Sequence, residues 1–449
     1  MNFNFHKADF PPFPGITKVI GPGIIWLALA QGSGELIWWP YFVAKYGTAV
    51  LFLLIPAALI QIPLTYYIGK YSMITGESIW RGFSRISKTF TFFLWILMNV
   101  SFFWFGSFVV AGGTALSELI TLGMTKETES KIWGYALILV MFVVLMRAKK
   151  TYVFVEKFML FVAIGTFLGL FVSCLHPDVL KNLKHFVLGF FQPEISSVEP
   201  SDYEELITAI TFMGLGGFWS LFYSYWIIEK GFGMSSKTKE FEFGFVPNES
   251  KDIKKWKIAL FIDSSSGILG NIVTTVMTCF LAFSILYPKG EFPTGYKIAV
   301  VQAEFFRGWF GEIGTKIFLF SSALFLVDTW VATADAVSKT NVDVAKIFLP
   351  VKDTQKLYRI FLTGITLITF ITIPVAPPGE LIVISAMIGF IGMIIFSFAI
   401  LFIHLRLKNM LPPSAQINPL GATIFSITGA TYFFLLLAYI WGKFIIESQ

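Results

Sequence analysis

Eleven stretches of this chain are apolar enough, and most are long enough, to cross a bilayer as helices, which takes about 20 residues each. They fall at 16–45, 50–71, 90–119, 132–147, 151–175, 203–230, 257–287, 313–338, 357–375, 379–405 and 419–445, the third long and the fourth short. Only 14% of the residues are charged and 55% are hydrophobic, whereas soluble domains carry about 25% charge. The chain is therefore expected to be an all-α integral membrane protein. Its amino terminus, MNFNFHKADFPPFPG, shows no secretory signal pattern, so the first span is expected to direct insertion.

Two of the spans are interrupted. The first reads GPGIIWLALA, then QGSGE at Gln31, Gly32, Ser33, Gly34 and Glu35, then LIWWPYFVA. The sixth reads ELITAITFM, ending on Met213, then GLGG at Gly214, Leu215, Gly216 and Gly217, then FWSLFYSYWII. Unwound backbone survives at membrane depth only where protein or a water-filled cavity satisfies its N–H and C=O groups. Spans one to five and six to ten each begin with such a break. An odd number of spans per half inverts one half relative to the other, the sequence pointer to a transporter's binding site. The expected organisation is one transmembrane domain over 1–449. A first repeat covers about 16–175, a second about 203–405, and an additional span about 419–445.

Basic residues mark the cytoplasmic loops. With the amino terminus inside, every inside loop carries at least two: Lys7 and Lys18; Lys70 to Lys88; Arg147 to Lys157; Lys230 to Lys257; Lys339 to Arg359; Arg406 and Lys408. The carboxyl terminus is then expected outside, in a plasma-membrane protein. The net charge of +6 is accounted for by these loops, and no nucleic-acid partner is expected. Residues 290–312 read as an external loop with a short amphipathic helix. Cys174 and Cys279 lie in apolar spans, which argues against a disulfide framework. The four histidines, His6, His176, His185 and His404, avoid mid-membrane, so no histidine metal cage and no resident cofactor are expected. Protease and esterase signatures are absent, and the chain is not expected to be an enzyme.

Carboxylates inside spans are the candidate chemistry. Glu35 closes the first break, where it either binds a cation or caps the following helix. Asp328 and Asp335 lie seven apart in span eight and share one helix face. Asp263 sits near the start of span seven. A solvated role is the expectation for Asp263 and Asp335, which lie closer to the cytoplasmic face. No Lys or Arg is expected at mid-depth, so protons, cations, backbone N–H groups or polar side chains must compensate these groups. Tyr223 follows the second break and could line the cytoplasmic path. Gly112 and Gly113 in span three read as helix-packing residues.

The stretches GPGIIWLALAQGSGELIWWPYFVAKYG, TYYIGKYSMITGESI, VFVEKF, ALFIDSSSGILGN and SSALFLVDTWVATADAVSK resemble the Nramp family of divalent-metal transporters. That family is a branch of the amino acid–polyamine–organocation superfamily. The resemblance covers essentially the whole chain and implies a LeuT-type fold: a 5+5 inverted repeat with helices one and six broken, plus an eleventh span. It also implies alternating access, in which spans one, two, six and seven rock against three, four, eight and nine. The chain departs from the family where metal is bound. The family's Asp-Pro-Gly-Asn becomes Gly32, Ser33, Gly34 and Glu35, its metal-binding Met falls on Gly216, and its span-ten Gln on Ala386. Two substrates remain open. A carboxylate moved to Glu35, without the thioether, suits a hard divalent cation such as Mg²⁺ or Mn²⁺, and this reading is favoured. Alternatively the glycine-rich breaks offer N–H groups to an amino acid or other small organic solute. In either reading Gln31, Gly32, Ser33, Gly34, Glu35, Met213, Gly214, Gly216 and Gly217 would contact the substrate. Asp328, Asp335, Asp263 and Tyr223 would serve a proton or cation pathway. A monomer within the lipid bilayer would suffice.

Overall fold

The computed structural model of the protein describes residues 5–30, 36–148, 151–237 and 244–441. The first break, Gln31 to Glu35, lies outside the described residues. Eight helices among those described are long and apolar enough to cross a membrane. The segments expected as spans one, six and nine are helical but shorter or less apolar. Span one runs as Pro22–Ala30 and, past the break, Trp39–Tyr46. Span six is broken into Tyr203–Thr211, a 3₁₀ turn at Gly217–Phe222, and Tyr223–Lys230. Span nine is Thr354–Thr372. The fold is that of a multi-pass membrane protein.

Side-chain caps set several span starts. Ser87, Thr125, Ser250 and Asp353 accept backbone N–H bonds from Phe90, Thr128, Asp252 and Lys356, opening spans three, four, seven and nine. These caps satisfy donors that a helix start leaves free. Thr125 starts span four at Lys126, six residues before the apolar run at 132, because a capped first turn tolerates Glu127 and Glu129. Span three bends between Lys88–Phe102 and Gly106–Leu119, which explains its length.

Small residues bring helices together. A Cβ on Gly113 would lie 2.2 Å from the Ser130 carbonyl oxygen, and one on Gly112 3.1 Å from that of Ala323. Span three thus packs on spans four and eight through the glycine pair. Gly23 approaches the Asp263 carbonyl, and Gly267 approaches that of Gly23, joining the first half of span one to span seven. Spans one, six and eight occupy the centre. Spans four, five and eleven face outward, with Leu139, Phe161 and Phe434 55%, 71% and 65% exposed.

Two features were not anticipated, and a third, 3₁₀ turns where a short amphipathic helix is expected over 290–312, corrects the sequence reading. An amphipathic helix, Ile79–Ile86, follows span two and buries Ile79, Trp80 and Phe83. Strands His6–Ala8 and Phe245–Pro247 pair in parallel, tying the amino terminus to the loop after span six. The segment 290–312 forms two 3₁₀ turns, Gly295–Lys297 and Val301–Phe306, and then enters span eight, which kinks at Gly311.

Candidate functional site

The second break carries its own explanation. The first half of span six ends at Thr211, and the backbone turns through Gly216 and Gly217 at φ 56° and 47°. Residues with a Cβ seldom adopt that conformation. A Cβ on Gly216 would also lie 2.3 Å from the Thr211 carbonyl oxygen, and one on Gly217 2.9 Å from Gly389 Cα of span ten. Gly214 faces span two and span one: its Cβ would meet Gln61 Oε1 at 2.2 Å and the Trp26 ring at 2.9 Å. The break is therefore closely seated among spans one, two and ten.

Two amide side chains satisfy the unwound backbone. Gln61 Nε2 donates to the Thr211 carbonyl at 3.0 Å, and its Oε1 accepts from Gly216 N–H at 3.4 Å. Asn271 Nδ2 of span seven donates to the Met213 carbonyl at 3.3 Å. Just below, Trp219 Nε1 donates to Thr333 Oγ1 of span eight at 2.8 Å. Spans three and ten are clasped behind it by reciprocal bonds, Ser101 Oγ to the Ser385 carbonyl at 3.0 Å and Ser385 Oγ to the Ser101 carbonyl at 2.7 Å. Sequence reading missed Gln61, Asn271, Ser101 and Ser385. The available signal was a lone amide within an apolar run, LIQIPL and ILGNIV.

Asp263 is fully buried rather than solvated. Its carboxylate accepts from Gly21 N–H at 3.1 Å, Gly23 N–H at 2.7 Å and Tyr223 Oη–H at 2.7 Å. Three bonds thus join the start of span one, the second half of span six and span seven. Lys230 and Glu156 pair beside them at 2.8 Å. Asp335 is also buried, correcting the solvated expectation. It accepts from Tyr358 Oη–H at 2.7 Å, and Lys339 Nζ lies 2.6 Å from it and 2.6 Å from Glu229. Its compensation is thus a lysine one helical turn further along, where no basic residue was expected to reach an intramembrane carboxylate.

Asp328 has no such company. It is fully buried, its Oδ1 has a long contact of 3.5 Å from Thr329 Oγ1, the carboxylate also accepts from the Thr329 backbone N–H, and its Oδ2 has no partner among the described residues. Thr211 Oγ1 and Trp26 Nε1, beside the break, are likewise buried without a partner among the described residues. No group of three or more His, Cys, Asp or Glu able to hold a metal occurs among the described residues. At the opposite end of the bundle, Asp202 gathers Tyr41 Oη at 2.9 Å, Tyr46 Oη at 2.8 Å and Lys45 Nζ at 2.8 Å, so spans one and six are tied there too. Gln302 Nε2 donates to the Leu36 carbonyl, joining the 290–312 segment to span one.

No family model matches the chain, and neither does any curated protein sequence. Solved structures do match. A crystal structure of a mutant manganese transporter from Eremococcus coleocola superposes with a TM-score of 0.72 at 12% identity, covering 98% of this chain and 90% of that one. The same transporter in complex with an aromatic bis-isothiourea substituted compound gives 0.70 at 11% identity, covering 97% and 89%. MhsT in complex with L-phenylalanine gives 0.58 at 14% identity, covering 94% and 98%. The fold is therefore the all-α LeuT-type fold, with its inverted 5+5 repeat and an eleventh span. The resemblance read from the sequence holds at the level of fold.

Proposed function

We propose that the protein is a secondary transporter that carries a hard divalent metal cation, Mn²⁺ or Mg²⁺, past the breaks of spans one and six by alternating access. The observation that carries this reading is the Asp328 carboxylate, fully buried in span eight with an oxygen that has no hydrogen-bond partner among the described residues, a group that a passing cation or a proton would compensate. The fold is shared with a manganese transporter, which supports the same class.

In this reading Glu35 supplies the charge at the ion. Carbonyl oxygens at the end of Pro22–Ala30, and the second lone pairs of the Thr211 and Met213 carbonyls that Gln61 and Asn271 already bond, supply neutral oxygens. Asp328 is the relay. An isolated buried carboxylate is too costly to keep ionised, so it holds a proton or meets a passing cation. Opening toward the amino-terminal end requires parting Asp263 from Gly21, Gly23 and Tyr223, and Lys230 from Glu156. Opening toward the other end requires parting Asp202 from Tyr41, Tyr46 and Lys45. These two sets act as alternate gates, with the amino-terminal end in the cytoplasm.

The test is uptake of Mn²⁺ and of radiolabelled L-phenylalanine into proteoliposomes, each with the other as competitor. Mn²⁺ uptake indifferent to phenylalanine supports the cation reading. Phenylalanine uptake indifferent to Mn²⁺ transfers the site to the amino-acid class, in line with the fold shared with MhsT, whose structure holds L-phenylalanine.

A further inference from the structure

The basic end of the bundle holds a cleft of about 410 Å³ that the proposed path does not use. It lies between span two, span seven and the start of span eleven. Its mouth opens on the lipid-facing surface at Leu59, Phe261 and Ile424, which are 44%, 53% and 44% exposed. Two ammonium groups line its inner wall. Lys70 is 2% exposed, and its Nζ donates to the Gln416 carbonyl at 3.0 Å. Lys257 Nζ donates to the Ser414 carbonyl at 3.0 Å. Neither has a carboxylate within ion-pair distance among the described residues, whereas Lys45, Lys230 and Lys339 each do. Glu249, on the neighbouring loop, accepts instead from Ser414 N–H at 3.3 Å.

A buried cation without an opposite charge is costly, and two facing one cleft repel each other as well. An anion between them removes both costs, since each ammonium offers three donors. Depth identifies its source. Lys70 lies five residues before Thr75, where span two ends, or about 8 Å inside that end at 1.5 Å per residue. Basic pockets between spans at this level suit lipid headgroups. Tyr66 and Phe261 wall the cleft edge to face at 6.1 Å, and Lys70 lies over the Tyr67 ring at 5.4 Å. The apolar mouth would receive acyl chains, which a free anion does not have.

We propose that this cleft binds the phosphodiester of an anionic phospholipid from the leaflet at the basic end. Lys70 and Lys257 hold the headgroup, and the acyl chains lie against Leu59, Phe261 and Ile424. With no carboxylate among the described residues that line it to hold a choline ammonium, the cleft prefers anionic to zwitterionic headgroups. Lys70 shares span two with Gln61, and Lys257 shares span seven with Asp263, so the lipid braces the two helices that hold the break and the inner gate.

The experiment titrates the full-length protein in neutral maltoside detergent with dioctanoyl phosphatidylglycerol, dioctanoyl phosphatidylcholine and inorganic phosphate, read by native mass spectrometry and thermal shift. Wild type should bind phosphatidylglycerol at least tenfold more tightly than phosphatidylcholine. Lys257→Gln should lose at least fivefold of that affinity, Lys257→Arg should keep it, and Lys70→Gln/Lys257→Gln should lose the preference. Lys257 is partly exposed near a helix start, so its variants decide the matter even if Lys70→Gln does not fold. Equal binding of the two lipids, or an unchanged preference in Lys257→Gln, overturns the proposal. Phosphate binding as tightly as phosphatidylglycerol overturns it in favour of a free-anion site.

Discussion

Replacing Gln61 by leucine would leave the second break without its stitch. The Thr211 carbonyl loses a donor at 3.0 Å, and Gly216 N–H loses a weaker acceptor at 3.4 Å. Both groups are buried, and leucine fills the volume while offering neither bond. A buried polar group left unsatisfied costs about 1–3 kcal/mol. With the Thr211 bond at full value and the Gly216 bond at a fraction, Gln61→Leu should destabilise the break by roughly 2–4 kcal/mol. Gln61→Glu keeps an acceptor for Gly216 but sets a carboxylate oxygen against the Thr211 carbonyl, so it should also be impaired. The assay is hydrogen exchange of the peptide spanning 211–217 in detergent, paired with Mn²⁺ uptake in proteoliposomes. Exchange should quicken by about thirtyfold or more, the factor that 2 kcal/mol implies. A Gln61→Leu protein with unchanged exchange over 211–217 would refute the account of how the unwound backbone is satisfied.

Three further outcomes follow from the same structure. Single cysteines at Ser236 and Lys184, in a background lacking the buried Cys174 and Cys279, should label from opposite sides of the membrane. Labelling of both from one side contradicts the orientation. Asp328→Asn should alter the pH dependence of uptake in a protein that still folds, since the amide removes a proton site; an unchanged pH profile reduces Asp328 to a structural group. Lys339→Met leaves the buried Asp335 without its cation and takes the partner from Glu229, whose side chain is 22% exposed, and should cost about 3 kcal/mol, the lower end for a buried pair. Thermal unfolding checks it, and Asp335→Asn in the same background should recover part of the loss.

The spans and the break in span six were legible because they depend on local signals: apolar length, and glycines that allow φ near +50°. Asp263 and Asp335 were misjudged as solvated because their partners are remote in the chain. Gly21 lies 242 residues from Asp263, and Tyr358 belongs to span nine. The apolar pattern places Lys339 in a loop, but span eight continues to Phe348, so the lysine stays on the bundle and reaches inward. Gln61 escaped notice for a similar reason. A lone amide in an apolar helix shows that a polar partner exists, but only the tertiary structure brings Thr211 and Gly216 to it. The parallel strand pair, three residues on each side, is too short to leave a periodic pattern.

Cation binding at Glu35 tests the central claim most directly. Mn²⁺ and Mg²⁺ would be titrated calorimetrically into purified wild type and Glu35→Gln, with folding checked by gel filtration. In the proposed site a carboxylate ligand would supply the charge at the break, so its neutralisation should weaken binding by at least about tenfold, or 1.4 kcal/mol. A capping role alone would cost about 0.3–1 kcal/mol of stability and leave binding intact. The account predicts a folded Glu35→Gln protein with that loss of affinity. A folded variant that binds both cations as wild type does would contradict it.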